Sequence, residues 1–253
     1  MGQAIIKGLA RQKKFLVYVW DIKRLRLNTV SRHYHLKKLP LAQLAKAAHV
    51  IILCVKPQDI DEVLSKLSRD ISSRQLIISI AAGVTTKHIQ KFFKSKISVV
   101  RTMPNMPAVI AEGVTAYCLG KYASRNSAEI TRLIFSTIGK TLKITESKMN
   151  AVTAISGSGP GFVAYLTDAL KEAAVSIGLN KQQAEFFSVY VVSGTGRLLE
   201  REKIKPAELV KRVASKGGTT EAGIRVFRNN KVKSIITKAI KAAANRAKEL
   251  SAI

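Results

Sequence analysis

Cysteine is scarce: Cys54 and Cys118 are the two thiols in 253 residues. Both lie in apolar runs, so a disulfide framework is excluded and a reducing cytoplasm fits. Aromatic residues reach 6%, with one tryptophan, too few to give the stacking platforms of a single-strand nucleic-acid binder. No uninterrupted apolar run approaches the roughly 18 residues of a membrane-spanning helix. The N-terminal stretch MGQAIIKGLARQKK places its charges after a short apolar patch, opposite to a secretory signal, so export is not expected. Four scattered histidines leave little for a metal centre. His33 and His35 have ligand spacing but no third ligand beside them, and no metal is expected.

Acidic side chains are also short, with 16 Asp and Glu against 43 Lys and Arg, for a net charge of +27. Such a balance often marks a polyanion binder. Its distribution argues for a solvated lysine-rich surface instead. Residues 1–50 carry eleven basic side chains and one acidic, 201–253 fourteen and four, and 151–200 three and four. A dedicated nucleic-acid partner or a membrane partner is not expected.

What the chain has in quantity is apolar residues, 47% of the total, arranged in two patterns. In the first half, short β-rich runs alternate with amphipathic segments. Phe15–Trp20 (FLVYVW), His49–Val55 (HVIILCV), Leu76–Ile80 (LIISI) and Ile97–Asn105 (ISVVRTMPN) read as strands. Leu41–Ala48, Asp59–Leu67 and a segment capped by Thr85 or Thr86 and running to Phe93 read as helices. The alternation predicts a parallel sheet covered on both faces. From Met149 onward no strand is expected. Helices are predicted over 163–177, 182–202, 206–213, 220–228 and 232–250. A boundary is placed near residue 148, between an α/β domain (1–148) and an all-α domain (149–253). The last helix is basic and amphipathic, but its apolar stripe is made of small residues and isoleucines without aromatic anchors, which suits another helix better than lipid.

Ligands of open parallel sheets sit beyond the carboxyl ends of the strands. The turns there contain Lys56-Pro57, Ala81-Ala82-Gly83 and Asn105-Met106-Pro107, and together they suggest a nucleotide cleft. Two further segments, Ser156–Gly161 and Ser215–Thr220, each combine glycines and hydroxyls ahead of a helix. Either is a carboxylate or phosphate cradle, or simply a cap at a close helix crossing.

Five stretches occur together in one order: VKPQ at 55–58, SIAAGV at 79–84, VVRTMPNMPAVIAEGVTAY at 99–117, AISGSGPGFVAYLTDAL at 154–170 and VASKGGTTEAGI at 213–224. In combination they resemble the pyrroline-5-carboxylate reductases, over essentially the whole chain. The resemblance implies a Rossmann-type domain followed by a helical dimerisation domain, with a homodimer that assembles further into a ring. It implies NAD(P)H-dependent reduction of a cyclic imine to proline. Lys56, Pro57, Ala81, Ala82, Gly83, Asn105, Met106 and Pro107 would line the nicotinamide half of the cofactor site. Ser215, Gly217, Gly218, Thr219 and Thr220 would hold the substrate carboxylate, with Thr220 nearest the ring nitrogen as the catalytic hydroxyl. A protonated imine is already electrophilic, so holding it against the hydride donor is the main task. That agrees with the lack of an evident acid–base dyad.

Three details qualify the resemblance. Lys216 stands where the family usually has proline. Asp21 ends a strand at the position that favours ribose hydroxyls and NADH, while Lys23 and Arg24 follow at once and suit the phosphate of NADPH, so both cofactors stay open. Met1-Gly2 looks like the end of a GxGNMG turn, with Gly2 as the glycine for close helix packing. The preceding strand and both phosphate-facing glycines are not in the sequence. A late-assigned start or a truncated gene would each account for that, and a chain complete as written is expected to bind cofactor weakly. Two other readings stand beside the reductase: a β-hydroxyacid-dehydrogenase-type enzyme, disfavoured because Lys171 lies three turns into its helix, and a basic scaffold without cofactor.

Overall fold

Helix α1 (Gly2–Gln12) turns inward the face its spacing predicts: Ala4, Ile5, Gly8 and Leu9 are its buried residues. The structure, a computed structural model, describes residues 1–12 and 14–251. After α1 come β1 (Tyr18–Val19), α2 (Arg24–His33), β2 (Lys37–Lys38), α3 (Leu41–Ala47), β3 (Val50–Leu53), α4 (Ile60–Leu67), β4 (Leu76–Ser79), α5 (Thr86–Gln90) and β5 (Ser98–Met103). They are followed by β6 (Gly113–Leu119), α6 (Arg125–Phe135) and β7 (Gly139–Lys143). Among the described residues only helices follow: α7 (Met149–Val152), α8 (Gly159–Ser176), α9 (Lys181–Arg201), α10 (Pro206–Val213), α11 (Thr219–Asn229) and α12 (Val232–Ser251).

The main sheet has the order β3-β4-β5-β6-β7. Its strands β3, β4 and β5 pair in parallel, as expected of apolar runs buried on both sides. All four residues of β4 are buried, and alternate side chains enter different cores. Ile77 and Val99 pack with Ala45, Leu64 and Ile89 from α3, α4 and α5. Ile78 and Val100 pack on the other face with Ile5 and Leu9 of α1 and Ile134 and Phe135 of α6.

The sequence reading marks neither β6 nor β7. Strand β6 pairs antiparallel with β5, and β7 pairs parallel with β6, extending the sheet beyond its parallel part. Their residues, GVTAYCL and GKTLK, lack the continuous aliphatic run that identifies a central strand; β7 is largely exposed and packs as an edge. Helices α2 and α6 are likewise unmarked. The second is fixed locally by a capping box between Ser124 and Ser127. The run Phe15–Trp20 is corrected to a strand of two residues, because its ladder partner β2 is only Lys37–Lys38, in a separate two-stranded sheet. Beyond that ladder Leu16 is left 79% exposed. Helix α5 stops at Gln90 and not at Phe93.

Two compact units result: Met1–Ser158 together with Ala243–Ile253, and Gly159–Ala242. In the second, α8 and α9 pair as a helical hairpin that leaves large apolar side chains in solvent. Tyr165 is 77% exposed and Ile177 83%, and Phe186, Phe187 and Tyr190 are exposed on α9. No helix among the described residues is long and apolar enough to cross a membrane.

Phe135 is fully buried between α1, α6 and the sheet. Phe135→Ala is expected to lower the unfolding free energy by about 3–5 kcal/mol in urea titration, without changing the helical signal of the folded state.

Candidate active site

Parallel register aligns three strand ends. Leu53 lies opposite Ser79, and Ser79 opposite Arg101, so the turns after β3, β4 and β5 leave from the same carboxyl edge. After β3, Lys56 precedes a 3₁₀ turn at Pro57–Asp59, and both Lys56 and Pro57 are exposed. After β4, the buried Ala81 donates its N–H to Ser79 Oγ at 3.2 Å, Ala82 is half-buried, and the chain turns at Gly83 with φ +83°. A Cβ on Gly83 would lie 2.5 Å from the carbonyl oxygen of Leu250. Left-handed backbone and this close approach both require glycine. After β5, Asn105 Oδ1 accepts the Val114 N–H at 2.8 Å, which fixes the loop base, while Met106 is exposed and Pro107 half-buried.

Gly2 begins α1 beside the end of β3, where a Cβ would come within 3.3 Å of Cys54 Cβ. This is the close helix–strand approach for which the third glycine of a dinucleotide turn is used. Asp21 follows β1. Its Oδ1 accepts the Lys23 N–H at 2.8 Å, and its Oδ2 lies 3.6 Å from Arg26 Nη1. Lys23 stands at the N-cap of α2 without a side-chain cap, and Arg24 is its first residue. The carboxylate is therefore already engaged by a backbone amide and one guanidinium.

A group that sequence reasoning missed lies on the face of β5 toward α5. Arg101 is 3% exposed, and its Nη1 is 3.6 Å from Glu146 Oε1. Its Nη2 donates to Asn150 Oδ1 at 3.5 Å, and Asn150 Nδ2 donates to Ser251 Oγ at 2.9 Å. Glu146 in turn accepts the Thr86 N–H at Oε1 (2.8 Å) and the Thr86 hydroxyl at Oε2 (2.7 Å). Burial pushes the arginine's pKa down and the glutamate opposes that shift. The signal available in the sequence was a lone arginine inside VVRTM. Its partner, 45 positions on, could not be found by spacing. Cys118, opposite Arg101 in the ladder, is pushed up to about 12, by burial first and by Glu146 second.

Segment Thr153–Gly157, just before α8, forms a π-helical turn, and Ser156 Oγ inside it is buried with no hydrogen-bond partner among the described residues. In the second unit, Gly218 is the N-cap of α11, without a side-chain cap. Its N–H donates to the Ser215 carbonyl at 3.0 Å, and the Gly217 N–H, at φ +73°, donates to Glu221 Oε2 at 2.7 Å. Both glycine amides are thus used internally. The first amides of α11, at Thr219 and Thr220, have no acceptor within the helix, and Ser215 Oγ lies beside Gly218, where a Cβ would come within 2.4 Å of it. Thr220 is half-buried, and Ser215, Lys216 and Thr219 are exposed. Among the described residues no cluster of His, Cys, Asp and Glu is able to hold a metal.

Comparison with known proteins bears on the family and the fold. A family model described as pyrroline-5-carboxylate reductase dimerisation matches residues 146–250, and one described as NADP oxidoreductase coenzyme F420-dependent matches residues 1–83. The pyrroline-5-carboxylate reductase of Synechocystis sp. is 35% identical over 254 residues, covering 99% of this chain and 94% of its own length. The solved structure of a pyrroline-5-carboxylate reductase from Coxiella burnetii is similar with TM-score 0.94 and 30% identity, covering 99% of this chain and 94% of that one. Plasmodium falciparum pyrroline carboxylate reductase, solved with NADP bound, gives TM-score 0.84 at 26% identity, covering the same shares, 99% and 94%.

Two measurements check the geometry. Gly83→Ala is expected to destabilise the protein by about 1–3 kcal/mol, read as a lowered melting temperature, because a methyl meets both the positive φ and the Leu250 carbonyl. Cys118 is expected to react with iodoacetamide at pH 8 on the order of 10³-fold more slowly in the folded protein than in urea, as its raised pKa removes the thiolate.

Proposed function

The chain belongs to the pyrroline-5-carboxylate reductase family, and from that premise we propose that it reduces 1-pyrroline-5-carboxylate to L-proline with NADPH. The observation that carries the reading is the full-length match. It is supported by three ligand-type turns at one sheet edge and by a hydroxyl-lined helix start at 215–220.

NADPH is favoured over NADH by the surroundings of Asp21. Its carboxylate is held by the Lys23 amide and by Arg26, so it is poorly placed to accept two ribose hydroxyls. Lys23, Arg24 and Arg26 instead offer three positive charges to a 2′-phosphate. NADPH also agrees with the NADP in the Plasmodium structure and with the description of the family model over residues 1–83. Gly2 takes the place of the last glycine of the phosphate turn, and its close approach to Cys54 suits that place. Ala81 and Ala82, with small side chains, leave room for a flat ring at the carboxyl edge, with Gly83 turning the chain against Leu250 behind them and Lys56, Pro57, Asn105, Met106 and Pro107 flanking.

When bound, NADPH supplies the hydride that reduces the C=N carbon. The chain's own part is to hold the imine and to manage its nitrogen. Ser215 and Thr219 hydroxyls, with the free amides at the start of α11, are placed to hold the substrate carboxylate, aided by the positive helix end. Gly217 and Gly218 shape that turn, since their own amides are occupied. Thr220 donates its hydroxyl to the ring nitrogen, where the electron pair of the C=N bond collects.

The helical region is proposed to form the homodimer, and dimers to associate further into a ring. Its match to the dimerisation model, together with the exposed Tyr165, Ile177, Phe186, Phe187 and Tyr190, supports a surface that a second copy covers. A cytoplasmic location belongs to the same proposal, in keeping with two free thiols.

The assay is loss of reduced-cofactor absorbance on adding 1-pyrroline-5-carboxylate. NADPH-dependent turnover is expected, with Thr220→Ala lowering kcat on the order of 10²-fold. A folded chain without turnover would overturn the assignment. Sedimentation is expected to show a dimer or a multiple of it, and a monomer at micromolar concentration would contradict the helical interface.

A further inference from the structure

We propose that Glu146 is a positioning residue for the cofactor loop: its carboxylate, counter-charged by the buried Arg101, pins Thr86 and thereby fixes the turn Ala81–Gly83. The inference rests on the NADPH reading above and adds to it a group that touches neither ligand.

The turn is held at both ends. At its start, Ser79 is locked in the sheet, pairs with Leu53 on one side and Arg101 on the other, and accepts the Ala81 N–H on its hydroxyl. At its end, Thr86 is buried and gives Glu146 two hydrogen bonds, one from the backbone and one from the side chain. Six residues separate those fixed points. Between them, Gly83 is pressed against the Leu250 carbonyl, so the end of α12 forms the back wall of the turn.

The same ion pair reaches that wall. Arg101 bonds Asn150, and Asn150 bonds Ser251, the neighbour of Leu250. Thr86, Glu146, Arg101, Asn150 and Ser251 thus form one chain of polar contacts. It begins where the turn ends and finishes at the residue beside the carbonyl that abuts Gly83. A buried arginine facing a partly exposed glutamate, each with a further hydrogen-bond partner, leaves an uncompensated guanidinium in the sheet if the glutamate is removed. What they provide here is a single position for the turn. A ligand that meets a pre-ordered turn loses less conformational freedom on binding than one that must order it.

Thr86 separates this role from bulk stability. Thr86→Val keeps shape and backbone N–H and removes one hydrogen bond to Glu146; Thr86→Ser keeps both. NADPH dissociation constants from calorimetry, KM for the imine, kcat and melting temperature are measured for the wild type and both variants. The Val variant is expected to bind NADPH on the order of 3- to 10-fold more weakly, with the KM for the imine within twofold of wild type. The Ser variant is expected to restore wild-type affinity. Glu146→Gln, which keeps volume but removes the charge, is expected to shift affinity in the same direction as Val.

Wild-type NADPH affinity in Thr86→Val at unchanged imine KM overturns the positioning role, as does a Ser variant that is as weak as Val. If Val does not fold, the Glu146→Gln affinity decides in the same way. A wild-type chain that neither binds NADPH nor reduces the imine overturns the functional reading itself, and is told apart because it appears before any substitution is made.

Discussion

The in-register parallel pairing of β3, β4 and β5 is the constraint on which the rest of the first unit depends. Because Leu53, Ser79 and Arg101 lie side by side, three loops distant in sequence emerge at one edge. Because both faces of those strands are buried, the edge cannot slip: a shift of one residue would send Ile77 and Ile78 into the wrong cores. Helices α1 and α6 cover one face, and α3, α4 and α5 cover the other. The proposed cofactor edge is therefore a product of core packing, and its precision comes from there.

Against that apolar frame, a buried arginine with a partly exposed glutamate beside it is conspicuous. An aliphatic side chain would fit such a position at little cost, whereas removing Glu146 alone would leave the Arg101 guanidinium buried without its counter-charge. Stability alone does not explain a charge inside β5. The pair lies on the path from the turn after β4 to the end of α12, and Thr86 uses both carboxylate oxygens. This arrangement makes sense if the turn must hold one conformation.

Much of this was legible in the sequence, for identifiable reasons. The inward face of α1 is stated by Ala4, Ile5, Gly8 and Leu9 at helical spacing. Strands β3 and β4 are aliphatic runs that end at Lys56-Pro57 and at Ala81-Ala82-Gly83. The ligand-type turns follow from those ends. What was not legible depends on distant partners. Strand β6 is recognised only by its antiparallel ladder with β5, and the run at Phe15 is cut to two residues by the shortness of β2. Glu146 pairs with Arg101 across 45 positions. In the loop at 215–220, the glycines looked like free anion donors, but Glu221 and Ser215 already occupy their amides. That leaves Thr219, Thr220 and the hydroxyls for the proposed carboxylate-holding role.

The central claim is that the dinucleotide lies at the carboxyl edge of the sheet, against a turn held by Glu146. Amide hydrogen exchange with and without NADPH tests it most directly. The account predicts added protection in the peptides covering 54–58, 80–86 and 104–107, with little change at the opposite edge around 94–98. Protection confined to other segments, or none at saturating NADPH, would contradict it.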